Sequence, residues 1–140
     1  MKKVFFFAIL LYCYNSNAQT CDNVVGNWHN QRGSKLSINF INSGSGVITG
    51  KYTIKTSQGQ ETYDLTGFVR RVSATDEIKT EITFCVNYTK YNSMAAWTGY
   101  CTLKGGKTTL HTIWHLVSPN ADADYKHITT DVDDFTSDAY

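Results

Sequence analysis

From residue 26 onward, apolar and polar residues alternate with a period of two, in runs broken by clusters of Gly, Ser, Asn and Asp. Alternation sends successive side chains of an extended chain to opposite faces, so each run reads as a strand with one face toward a core. The runs predict eight strands, at residues 26–30, 35–40, 47–55, 62–69, 80–89, 95–103, 108–117 and 127–136. The connections Asn42-Ser43-Gly44-Ser45-Gly46 and Lys104-Gly105-Gly106-Lys107 suit hairpins. No helical period intervenes, beyond one short helical turn expected at residues 121–125. Strands joined in succession by short turns pair antiparallel with their neighbours, and eight of them can close on themselves with no free edge. The expected fold is therefore all-β, an eight-stranded antiparallel up-and-down β-barrel.

The same alternation assigns faces. Tyr52 falls with Gly50 and Ile54, Tyr88 with Phe84 and Val86, Trp97 with Ala95 and Gly99, and Trp114 with Thr112 and Leu116; these sets are expected to point inward. Ile113, His115 and Val117 then share the outer face of the seventh strand. That face is too apolar for open water and predicts a subunit interface.

The first residues have another purpose. Lys2 and Lys3 precede an apolar run at residues 4–14, and Ser16-Asn17-Ala18 has the small residues of a cleavage site. Residues 1–18 read as a secretory signal peptide, too short for the roughly 20 residues of a spanning helix, and residues 19–140 as one domain. Of 13 Lys and Arg, 11 remain after the leader, against 12 acidic residues. So balanced a chain offers no basic field for nucleic acid and no cationic face for a membrane. Export suits the cysteines, because Cys13 leaves with the leader and Cys21, Cys85 and Cys101 remain, enough for one disulfide and one leftover thiol. Cys85, between Phe84 and Val86, is expected to be buried and free.

All three tryptophans lie in matched segments: Gly26-Asn27-Trp28-His29-Asn30-Gln31-Arg32-Gly33-Ser34, Ala96-Trp97-Thr98-Gly99-Tyr100-Cys101 and Thr112-Ile113-Trp114-His115-Leu116. Aromatic walls with a few fixed polar groups make a small-molecule pocket. With Thr49-Gly50-Lys51-Tyr52, Leu65-Thr66-Gly67 and the ending Asp134-Phe135-Thr136, the ordered series resembles the avidin and streptavidin family over nearly all of the mature chain. A Gly-x-Trp near the first strand also occurs in lipocalins, but the ordered spacing of the whole series is specific.

The resemblance implies non-covalent biotin binding in one open end of the barrel, and a secreted homo-oligomer, either a tetramer or a dimer. It implies a Cys21–Cys101 disulfide. By position, Asn30, Ser34 and Tyr52 would donate to the ureido oxygen of biotin and Asp133 would accept from a ureido N–H, a set strengthened by charge and by cooperativity. Trp97, Trp114 and Tyr88 would wall the bicyclic ring, with Leu116 on the same face. Ser93 would meet the valerate carboxylate. Tyr125 matches a tryptophan that reaches into a neighbouring subunit, and Thr56, Ser57 and Gln58 fall in the loop that would close over the ligand. Trp28 is assigned mainly to the core.

Three departures from the family pattern predict weaker, more reversible binding. Ile54 stands where a hydroxyl usually accepts the second ureido N–H, Ala95 replaces a hydroxyl near the ligand sulfur, and Tyr88 and Tyr125 stand where the family has tryptophan. An unmet N–H in a dry pocket costs about 1–3 kcal/mol. A one-residue slip would bring Thr53 to the place of Ile54 but turn Tyr52 away, so it is rejected.

Other chemistries find little support. His111 and His115 share a face but sit roughly 13 Å apart at strand rise, too far for one ion. Asp131, Asp133 and Asp134 lack the glycine and glutamate positions of a calcium loop. No catalytic set emerges, so the chain is expected to be no enzyme and to need no cofactor. A lipocalin-like carrier of an apolar ligand is the alternative function, although it leaves Asn30, Ser34, Tyr52 and Asp133 unexplained.

Overall fold

The structure, a computed structural model, describes residues 19–72, 78–119 and 126–137. It is a closed antiparallel barrel of eight strands in sequence order: β1 (Gly26–Asn30), β2 (Lys35–Ile41), β3 (Val47–Thr56), β4 (Gly59–Arg71), β5 (Ile78–Tyr88), β6 (Ser93–Lys104), β7 (Lys107–Val117) and β8 (Ile128–Thr136). The expected topology holds. The leader at residues 1–18, the expected helical turn at 121–125 and Tyr125 lie outside the described residues.

Inward faces are the predicted ones. Leu36, Ile38, Ile48, Tyr52, Leu65, Phe84, Val86 and Trp97 form one buried core with Trp28, whose indole N–H donates to the Val24 carbonyl at 2.9 Å. Thr53 pairs its hydroxyl with Thr62 at 2.9 Å while Tyr52 stays inward, so the third strand holds the register that keeps Ile54 on the Tyr52 face. One irregularity was not foreseen: between Ile38 and Phe40 the β2–β3 register shifts, which turns Phe40 outward although it continues the parity of Leu36 and Ile38.

At the barrel end away from the hollow described below, Cys21 and Val24 of the chain leading into β1 are buried in the core. Cys21 and Cys101 form a disulfide across 80 residues of sequence, and the Thr80 hydroxyl donates to the Cys21 carbonyl at 2.5 Å. Cys85 is free but half-exposed, not buried as expected: Phe84 and Val86 take the inner face, so the residue between them must face out.

Closure depends on a short seam. β1 and β8 share only two backbone pairs, His29 with Thr136 and Asn30 with Phe135. Gln31 extends the seam with its side chain, donating to the Val132 carbonyl and accepting from the Asp134 N–H, both at 3.0 Å.

Gly67 is inward and buried, where a Cβ would collide with the backbone of Thr83 and Phe84 on β5. The methyl of Gly67→Ala cannot be taken up by a rotamer change, so β4 and β5 must part. Thermal unfolding of that variant should show a loss of about 1–3 kcal/mol; an unchanged midpoint would contradict this packing.

Candidate functional site

At the end of the barrel where β1 turns into β2, the interior opens into a hollow of about 490 Å³. Inward side chains of six strands and the β1–β2 turn line it. A larger concavity of about 1620 Å³ runs along the outside and the other end, past Phe40, Phe68 and the turn at residues 42–46. It is not the better site, because the one buried side-chain nitrogen or oxygen without a hydrogen bond among the described residues, Asn30 Nδ2, belongs to a residue of the hollow.

Asn30 ends β1 with its side chain buried. Its Oδ1 accepts the backbone N–H groups of Arg32 at 3.1 Å and Ser34 at 2.8 Å. Those two donors tighten the turn, in which Gly33 adopts a φ of 79° that a side chain would strain. They also fix the amide orientation, since only the oxygen can accept, and Nδ2 is left as a donor without a partner. Ser34 and Tyr52 converge on the same place. The Tyr52 phenol is pushed well above its ordinary value of 10, first by burial and then by the negative charge of Asp133, against smaller pulls downward from the Ser34 hydroxyl, the positive charge of Arg32 and the nearby Asn30 amide. It remains a protonated donor at any ordinary pH.

Opposite stands Asp133, with its side chain 3% exposed. Its Oδ2 accepts from the Trp97 indole N–H at 3.1 Å and its Oδ1 from Arg32 Nε at 3.2 Å, and its main-chain carbonyl accepts from Thr112 Oγ1 at 2.8 Å. Trp97 therefore has two tasks, as a wall and as a strut for the carboxylate. Behind it Phe84 stacks at 4.8 Å with the planes 8° apart, and Tyr52 leans on it at 4.9 Å. Trp114 and Leu116, half-buried, continue the wall toward the mouth with Ile54, Ala95 and Tyr88.

Of the residues singled out in the sequence, Asn30, Ser34, Tyr52, Thr56, Tyr88, Ser93, Trp97, Trp114, Leu116 and Asp133 line this one hollow. Gln58 does not. It is exposed in a two-residue hairpin between Thr56 and Gly59, where Thr56 Oγ1 donates to the Gly59 carbonyl and accepts from the Gln58 N–H. The strands run up to this turn, so the connection is much shorter than a closing loop. Arg32, Tyr91 and Ser118 also line the hollow, and the sequence reading gave them no part. Arg32 falls between the first two predicted strands, and its place two positions after Asn30 is the one signal of a larger part. At the rim, Glu61 is held below the usual carboxylate range, first by Lys90 and then by the Tyr63 hydroxyl.

Comparison with known proteins agrees with this geometry. The sequence model of the avidin family matches residues 18–138. The chain belongs to the avidin family. Among solved structures it is similar to the crystal structure of Xenavidin, at 29% identity and a TM-score of 0.68, over 81% of this chain and 96% of that one.

The raised phenols give this avidin-family barrel a pH dependence with a definite sign. Tyr88, like Tyr52, is pushed up mainly by burial. Below pH 10 the folded and unfolded chains both keep these protons. Above it the unfolded chain releases them first and binds fewer protons than the native state, so stability falls as pH rises. Thermal midpoints should be level from neutral pH up to about pH 10 and then drop, and the drop should be smaller in Tyr52→Phe. A midpoint that stays level well above the ordinary phenol range would contradict the burial of these groups.

Proposed function

We propose that this protein captures biotin reversibly in the hollow, as a secreted homo-oligomer that performs no catalysis. The observation that carries this reading is Asn30 Nδ2, a buried donor without a partner. Leaving it unmet costs about 1–3 kcal/mol, and a carbonyl oxygen between Asn30, Ser34 and Tyr52 would meet all three donors at once. A ureido oxygen suits them because a cyclic urea lets negative charge build on oxygen while its N–H groups turn positive. Asp133 would take one N–H, and Trp97, Trp114 and Tyr88 would cover the rings. An apolar ligand of the lipocalin kind would leave Asn30 Nδ2 unmet, so that alternative is not favoured.

Ile54 offers no acceptor for the second N–H, Ala95 offers no hydroxyl and Tyr88 gives less surface than tryptophan. Thr56, the next residue toward the mouth on the Ile54 face of β3, is already engaged in its hairpin. These features support an affinity below that of the tightest family members. Ser93, buried toward the mouth, would face the valerate end, and Tyr125 would serve a neighbouring subunit.

Export is supported by the disulfide, which persists in oxidising compartments, and by the leader-like residues 1–18. Oligomerisation is supported by the outer face of β6, β7 and β8. There Met94, Val117 and Ile128 form one exposed row across the three strands, and Ile113 and Val132 a second.

Calorimetric titration of the mature protein with biotin should give exothermic binding at one site per chain, weakened at least about tenfold by Asp133→Ala or Asn30→Ala. Absence of heat, or unchanged affinity in both variants, would exclude this function. Ile113→Glu should shift the mature protein to smaller species in light scattering; an unshifted mass would remove that face from the assembly.

A further inference from the structure

Arg32 enters the hollow from the β1–β2 turn, crosses the seam and lies on the carboxylate that a ligand would need. Its Nε donates to Asp133 Oδ1 at 3.2 Å, its Nη2 to Asp131 Oδ2 at 2.5 Å, and its guanidinium lies over the Trp114 ring, 5.9 Å from the centroid. With Trp97 on Oδ2, each oxygen of Asp133 already holds one donor, and Arg32 is the one on Oδ1.

We propose that Arg32 is a positioning residue that sets how tightly the hollow holds its ligand, by competing with a ligand N–H for Asp133. The inference rests on the proposed capture of a cyclic urea. A buried carboxylate is costly without a cation or donors beside it, and Arg32 supplies that partner when the hollow is empty. A ligand N–H arriving at Asp133 offers the same service, so part of what it gains is lost from the arginine. Arg32 therefore stabilises the empty state more than the filled one, and whatever favours the empty state weakens binding. Asp131 moderates the competition. It lies outside the lining of the hollow and draws the guanidinium away from Asp133 toward the rim.

Two variants should consequently move in opposite directions. Arg32→Leu keeps apolar cover over Trp114 but frees Asp133. It should lower the melting temperature of the empty protein and tighten biotin by about tenfold, mainly through slower release. Asp131→Asn leaves Arg32 with Asp133 as its one carboxylate partner and should weaken biotin by about threefold. A purely structural part for the arginine would weaken binding in both, or in neither.

The test is calorimetry and release kinetics with biotin on the mature wild type, Arg32→Leu and Asp131→Asn, each first checked for a cooperative melt. Tightening in the first with weakening in the second supports the proposal, as does binding by Arg32→Leu where the wild type binds too weakly to detect. Biotin binding by the wild type with unchanged or weaker binding by Arg32→Leu overturns it and leaves the biotin reading intact. If folded wild type and Arg32→Leu both ignore biotin, the biotin reading falls and this inference falls with it.

Discussion

The seam between β1 and β8 is the constraint on which the rest depends. A barrel must bring its first and last strands together, and here two backbone pairs do so, His29 with Thr136 and Asn30 with Phe135. A donor that ends the first strand and a carboxylate near the end of the last thereby become neighbours across one hollow. Beyond the backbone ladder the joint continues through side chains, Gln31 to the main chain of β8 and Arg32 to Asp131 and Asp133. Asn30, Arg32 and Asp133 thus serve both the closure of the barrel and the polar end of the site.

Each polar group there has two tasks. Asn30 gives its oxygen to the turn and keeps its nitrogen for the hollow. Trp97 braces Asp133 through its indole N–H and presents its ring face, stacked against Phe84, as a wall. This economy makes the pocket preformed, so little side-chain ordering is left to oppose binding. It also accounts for the one unmet buried side-chain donor among the described residues: Asn30 cannot rotate to hide Nδ2 without abandoning two backbone N–H groups.

Most of the architecture was legible because alternation is a local code. Tyr52, Trp97 and Thr112 point inward as their parity requires, and the two-residue period held along β3 well enough to exclude a slip. Where the code failed, something non-local or irregular intervened. The register shift after Ile38 reverses Phe40 with no mark in the sequence. Cys85 was misplaced by its apolar neighbours, although the parity that buried them required it to face out. The Ser57-Gln58 hairpin lacks an Asn-Gly signal, yet Gly59 adopts a φ of 131° and lets the strands turn at once. Arg32 was invisible as a site residue because its partners lie about a hundred positions away, and no period in the sequence links a turn to the opposite end of the chain.

The central claim is that the Asn30 side-chain amide waits, oriented and unpaired, for a ligand oxygen. Its most direct measure is the nitrogen–proton spectrum of the mature protein labelled at asparagine, recorded with and without biotin. On this account the Asn30 Nδ2 protons shift downfield and exchange more slowly with water when biotin is present. Bound biotin that leaves the Asn30 amide resonances unmoved would contradict it.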